Sequence, residues 1–146
     1  MSTVFEKIIS GEWAGRFLWA DDICVVISTI EPVGPGHALV IPRQPWAKWT
    51  DCPSDIAEHL MRVARIIALA QETTFEVDRC ALIIAGFEVP HTHLHVIPAR
   101  SEADCHLGNA QAASAQELDE AAKRLRKTLQ TQGHGAYVPT RIDALL

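Results

Sequence analysis

The sequence predicts an α+β fold: a five-stranded antiparallel sheet with one long helix, a short N-terminal helix and an extra C-terminal helix. Two observations carry this expectation. Strand-like apolar runs come in two groups, three before residue 42 and two from residue 80 onward, with one long amphipathic stripe inserted between them. Runs of neighbouring strands interrupted by a helix point to an antiparallel α+β arrangement. The length, 146 residues, suits a single core. Residues 1–110 are expected to form the sheet domain, with 111–146 appended to it as a C-terminal helix and tail.

Each element has its own signal. Val4, Phe5, Ile8 and Ile9 recur at helical spacing and stop at Gly11, a natural helix terminator. Residues 16–20 and 23–29 are β-branched or aromatic runs joined by Asp21-Asp22, a plausible hairpin turn. Residues 31–36 hold two prolines and two glycines and can only be a loop. Residues 37–41 form the third strand, ended by Pro42. Ile56, Leu60, Val63, Ile67 and Ala70 make one apolar stripe on a helix from about Pro53 to Glu72. Residues 80–85 read as a buried strand, and residues 91–99 as its partner after a turn at Gly86. Ser114-x-x-Glu117 is a capping box ahead of Leu118, Ala121/Ala122, Leu125 and Leu129, and Gly133 ends that helix. One long helix covers only one face of such a sheet, so the other is expected to be open, a groove or a dimer surface.

Composition narrows the function. Thirteen Lys and Arg against eighteen Asp and Glu leave a net charge of −5, which argues against a partner such as nucleic acid or an anionic membrane. A small phosphorylated ligand needs only a few local donors and stays open. No apolar run reaches the length of a membrane span and no export signal is visible, so a cytoplasmic protein is expected. Cys24, Cys52, Cys80 and Cys105 lie far apart without a Cys-x-x-Cys, and reduced, mostly buried thiols are expected.

The most informative stretch is Glu88-Val89-Pro90-His91-Thr92-His93-Leu94-His95-Val96-Ile97-Pro98. On a strand, residues at i, i+2 and i+4 share a face, so His91, His93 and His95 are expected to project together over about 13 Å. Two chemistries use such a row. His-x-His on a strand is an ordinary pair of zinc ligands, with His37, His59 or Glu88 as a third. Alternatively, a neutral imidazole attacks phosphorus while its neighbours donate to the phosphoryl oxygens. Spacing alone leaves both open.

The segment His91-Thr92-His93-Leu94-His95-Val96-Ile97 resembles the His-φ-His-φ-His-φ-φ motif of the histidine triad (HIT) superfamily of nucleotide hydrolases and transferases, with Thr92 at a position usually apolar. Two further blocks resemble the family in the same order: Val4-Phe5-Glu6-Lys7-Ile8-Ile9-Ser10-Gly11-Glu12, and Pro35-Gly36-His37-Ala38-Leu39-Val40-Ile41-Pro42-Arg43. The resemblance implies a Hint-type homodimer acting on a small-molecule purine nucleotide, with no cofactor. His93 would be the nucleophile at the α-phosphate, giving a nucleotidyl-histidine that water hydrolyses. His95 would donate to a phosphate oxygen, and His91 would support the nucleophile from beside His37. Phe5, Ile8, Leu18 and Ile27 fit the family's base slot by position.

Four departures qualify the resemblance. Thr29 replaces an Asp that grips the ribose hydroxyls, and a threonine offers one hydroxyl where a carboxylate accepts two. The segment 83–90 lacks the Asn and Gln of relatives. Glu88 stands where many relatives carry Ser or Thr against the leaving group, a place where a carboxyl can serve as a general acid. Thr3 and Glu6 occupy the positions of a Cys-x-x-Cys in zinc-carrying relatives, so no metal is expected. Hydrolysis of a purine nucleoside phosphoramidate is the activity the resemblance implies. The alternatives are a dinucleoside polyphosphate hydrolase or nucleotidyl transferase, and a nucleotide-binding module with little catalysis.

Overall fold

The computed structural model describes residues 2–145. Its elements run α1 (Val4–Ser10), β1 (Phe17–Ala20), β2 (Cys24–Ser28), β3 (Ala38–Pro42), α2 (Ser54–Phe75), β4 (Arg79–Ile83), β5 (Leu94–Ala99) and α3 (Ala115–Leu129), with short 3-10 turns between them. The five strands form one antiparallel sheet in the order β1-β2-β3-β5-β4, the α+β architecture expected.

Both long helices pack on one face. Leu60, Val63, Ala64, Ile67 and Ala70 of α2 and Ala122, Leu125 and Leu129 of α3 join Leu18, Val26, Val40, Leu94 and Val96 in one core. A buried Leu contributes roughly 1.5–3 kcal/mol over an exposed one, so this layer is the main source of stability. The cap of α3 is a variant of the expected box: the Ser114 hydroxyl accepts from the Glu117 N–H and donates to the Glu117 carboxylate. Residues 133–145, which lack periodicity, fold back on β1. The Phe17 N–H donates to the Ile142 carbonyl at 2.7 Å, Tyr137 stacks on Trp19 at 4.5 Å, and the Arg126 guanidinium bonds the carbonyls of Phe17 and Pro139.

The opposite face is part covered and part groove. Phe5, with Val4, Ile8 and Ile9 of α1, packs over Phe17, Val25, Ile27, Leu39 and Ile41. Thr3 caps that helix reciprocally with Glu6, and Gly11 ends it at φ 89°. Among the described residues β4 pairs with β5 alone, and its side chains are half-buried or exposed. No helix among the described residues is long and apolar enough to cross a membrane.

One element departs from expectation in a way that matters. The last strand starts at Leu94, not His91. The His91 N–H turns back to the Val89 carbonyl, and both the N–H and the hydroxyl of Thr92 donate to the Trp46 carbonyl. Residues 91–93 therefore approach the sheet held by a loop, and strand alternation does not govern where His91 points.

Candidate active site

β5 carries His95, which faces Leu39 on β3 and Ile83 on β4 in the ladder. The loop before β5 delivers His91 and His93, and the residue before β3 is His37. His93 packs edge-on to both Phe5 and His95, with ring centroids 4.9 Å apart in each case. Together His37, His93 and His95 border a cleft of about 550 Å³, whose apolar wall includes Phe5, Ile8, Ile27 and Leu39. A larger cavity, about 820 Å³, lies between the β2–β3 loop and α3. Of the histidines only His37 borders it, whereas the smaller cleft gathers His37, His93 and His95.

The ring nitrogens sort themselves by their partners. Burial holds all four imidazoles below the ordinary histidine value: His37 at about 3 and His95 at about 4, both helped by neighbouring rings, with His91 and His93 also lowered. They are neutral at pH 7, and each then owns one N–H and one lone pair. At His93, Nδ1 lies 2.7 Å from the His91 carbonyl, which can only accept. The proton therefore sits on Nδ1, and the Nε2 lone pair is left for the cleft. At His37, Nδ1 accepts the Val33 N–H at 3.0 Å, so its Nε2–H donates to His95 Nδ1 at 2.9 Å. His95 must then carry its proton on Nε2. One backbone amide thus fixes two tautomers in series, and the cleft receives an acceptor from His93 beside a donor from His95.

His91 does something else. It is fully buried, its Nε2–H donates to the Pro42 carbonyl at 2.7 Å, and its Nδ1 accepts the Thr3 hydroxyl at 2.8 Å. Both ring nitrogens are used, and its backbone carbonyl orients His93. The expectation that His37 packs beside His91 is corrected: His37 bonds His95 instead, because His95 lies on the strand that pairs with β3. Leu18 is corrected as well. It is fully buried in the helix-side core and takes no part in the cleft, since alternation along β1 turns it to the other face.

Two contributors escaped sequence reading. Gln71 of α2 is fully buried, and its Nε2 donates to the Gly36 carbonyl at 2.8 Å and the Val96 carbonyl at 2.9 Å. Those carbonyls adjoin His37 and His95, so one amide ties together the two segments that carry the donor relay. Its Oε1 is buried without a partner, a cost tolerated for those two bonds. The second is the Val33 amide, which only the folded loop brings to His37.

Thr29 and Ser28 line the cleft floor, and the Thr29 hydroxyl accepts from the Glu31 N–H at 3.3 Å. Glu88 is exposed at the mouth, and its charge favours a proton on His93 against the effect of burial. His59 does not join the row: its Nε2 bonds Asp21 at 2.7 Å by the β1–β2 turn. There Asp21, Cys24 and His59 bring potential ligand atoms within 4.8 Å of one another. The Asp21 carboxylate, however, already accepts from Trp19, His59 and the backbone of Ile23 and Cys24, which accounts for the cluster as a clasp of that turn to α2.

The HIT domain model matches residues 10–102. An adenylylsulfatase (HINT3) of Arabidopsis thaliana is 33% identical over 107 residues, covering 70% of this chain and 54% of the plant protein. The adenosine 5′-monophosphoramidase of Saccharomyces cerevisiae is 35% identical over 100 residues, covering 68% of this chain and 63% of the yeast one. The chain thus spans between half and two thirds of these two enzymes. A zinc-bound histidine triad protein of Mycobacterium smegmatis superposes with a TM-score of 0.79 at 28% identity, over 92% of this chain and 98% of that one. A zinc at the N-terminal helix does not fit here: the Thr3 hydroxyl holds His91, and Glu6 completes the cap with Thr3.

Proposed function

This chain belongs to the histidine triad (HIT) family, and from that premise we propose that it is a phosphoramidase-like nucleotide hydrolase with His93 as its nucleophile. The family assignment supports nucleotide hydrolase or transferase chemistry. The finer reading is supported chiefly by one observation: a lone pair on His93 Nε2 and a proton on His95 Nε2 face the same cleft.

A purine nucleoside fits with its base against Phe5, Ile8 and Ile27 and its ribose by Thr29. The His93 Nε2 lone pair attacks the α-phosphorus, and the leaving group departs with the bond electrons. His95 Nε2–H donates to a phosphoryl oxygen as charge builds there, an interaction worth most in the transition state. The imidazolium formed on His93 keeps its Nδ1–H on the His91 carbonyl, which stabilises the nucleotidyl-histidine. Water then attacks phosphorus and returns the electron pair to Nε2. We further propose a homodimer formed through the exposed edge of β4 and the adjoining face of α2, where Met61, Leu69 and Leu82 are exposed.

The test is turnover of adenosine 5′-phosphoramidate by wild type and His93→Ala, with added chelator or zinc as controls. AMP release that disappears in the variant and ignores chelator is expected. Binding of AMP without turnover by either protein would make the chain a binding module. Turnover that needs zinc would overturn the nucleophile.

A further inference from the structure

The two enzymes named above differ in what leaves: an adenylylsulfatase releases an anion, a phosphoramidase releases an amine. The cleft carries an observation that separates them. Although the chain has 13 Lys and Arg, none lines the cleft, while two carboxylates, Glu31 and Glu88, do. Arg and Lys forks or clamps are a common means of neutralising a polyphosphate or sulfate. Among the described residues, the side-chain donors that line the cleft are neutral imidazole and hydroxyl groups.

Position tells which end of a substrate meets the carboxylates. His93 sits at the cleft floor with 7% of its surface exposed, against Phe5. In-line displacement sends the leaving group away from the attacking nitrogen, towards the mouth. That mouth is rimmed by Ile30 and Glu31 from the β2–β3 loop and by Phe87 and Glu88 from the loop before His91. Phe87 is 96% exposed and Ile30 66%, unusual for large apolar side chains without a partner. The rim therefore offers two negative charges interleaved with two apolar surfaces. An alkyl or aryl ammonium matches it, through ion pairing to a carboxylate and packing on an aromatic face.

We propose that Glu88 and Glu31 make this cleft selective for leaving groups that are cationic organic amines, and reject those that depart as sulfate or phosphate. The inference rests on the phosphoryl-transfer reading above. In the first step the His93 Nε2 lone pair forms the N–P bond while the P–N bond of the substrate breaks. Its electron pair goes to the amine nitrogen, which takes two protons from solvent at the open mouth and leaves as an ammonium ion. In the second step a water oxygen bonds phosphorus, one proton returns to solvent, and the His93–phosphorus pair reverts to Nε2.

Three AMP phosphoramidates test this, built on amines of equal length that end in an ammonium, a methyl or a carboxylate group. kcat/KM is measured for each with wild type, Glu88→Gln and Glu31→Gln, beside unsubstituted adenosine 5′-phosphoramidate and adenylyl sulfate. Wild type is expected to prefer the ammonium-ended substrate to the carboxylate-ended one by about tenfold or more, and adenylyl sulfate to be a poor substrate. Glu88→Gln should shrink that ratio several-fold, Glu31→Gln less, and added salt should shrink it most in wild type and least in Glu88→Gln. A wild-type ratio near one, or a ratio untouched by both substitutions, overturns the selectivity while the hydrolase reading stands. No turnover of the unsubstituted phosphoramidate sinks both together.

Discussion

The donor relay makes folding acid-sensitive in a defined window. Burial holds His37 at about 3 and His95 at about 4, against 6.5 for an ordinary histidine. Below pH 6.5 the unfolded chain binds a proton at each ring that the folded chain refuses, so stability is full above 6.5 and declines as pH falls. At pH 5, about 1.5 pH units into the window, each ring costs about 2 kcal/mol and the pair about 4. That is a large share of the roughly 5–15 kcal/mol that holds a domain of this kind folded. Urea unfolding followed by tryptophan fluorescence, at pH 7 and pH 5 and constant ionic strength, reads it directly. His37→Phe strands the Val33 N–H and is less stable at pH 7, yet its further loss at pH 5 should be smaller than that of wild type by about 2 kcal/mol. Equal stability of the wild type at both pH values, or an unaltered pH dependence in the variant, would refute the neutral relay.

Two further substitutions probe its supports. Gln71→Met keeps the volume but removes the bonds to the Gly36 and Val96 carbonyls, offset in part by removing the orphan Oε1; it should lower unfolding free energy by about 2–3 kcal/mol in the same urea assay. Gly36→Ala combines a left-handed backbone, φ 85°, with a methyl group driven into the Phe75 ring, and should cost about 2–4 kcal/mol in a thermal melt compared with wild type.

Local patterns in the chain announce most of the fold. The stripe of Leu60, Val63, Ile67 and Ala70 became the buried face of α2, and the apolar run of residues 80–85 yielded β4 beside the last strand, but as a half-exposed edge strand at Arg79–Ile83 rather than the buried strand expected. The triad announced itself through three alternating histidines, but its geometry did not. His91 lies in a loop whose donors go to Val89 and Trp46, partners that no local period reveals. The facing of Leu18 is not legible in the sequence because β1 is buried on both faces, so hydrophobicity along it carries no alternation to read. Gln71 looks like any polar residue on a helix until the Gly36 loop and β5 close over it. The tail at 133–145 has no period because its bonds are to β1 and to Arg126, more than a hundred residues away from the strand in sequence.

Attack by His93 Nε2 on phosphorus leaves a covalent trace. To capture it, enzyme is mixed with adenosine 5′-phosphoramidate, quenched in base within milliseconds, and mapped as peptides by mass spectrometry. One adenylyl group is expected on the peptide containing His91, His93 and His95, with fragmentation assigning it to His93 and none found in His93→Ala. An adenylyl group on His95 or His91, or turnover in the variant at the wild-type rate, would show that another atom attacks.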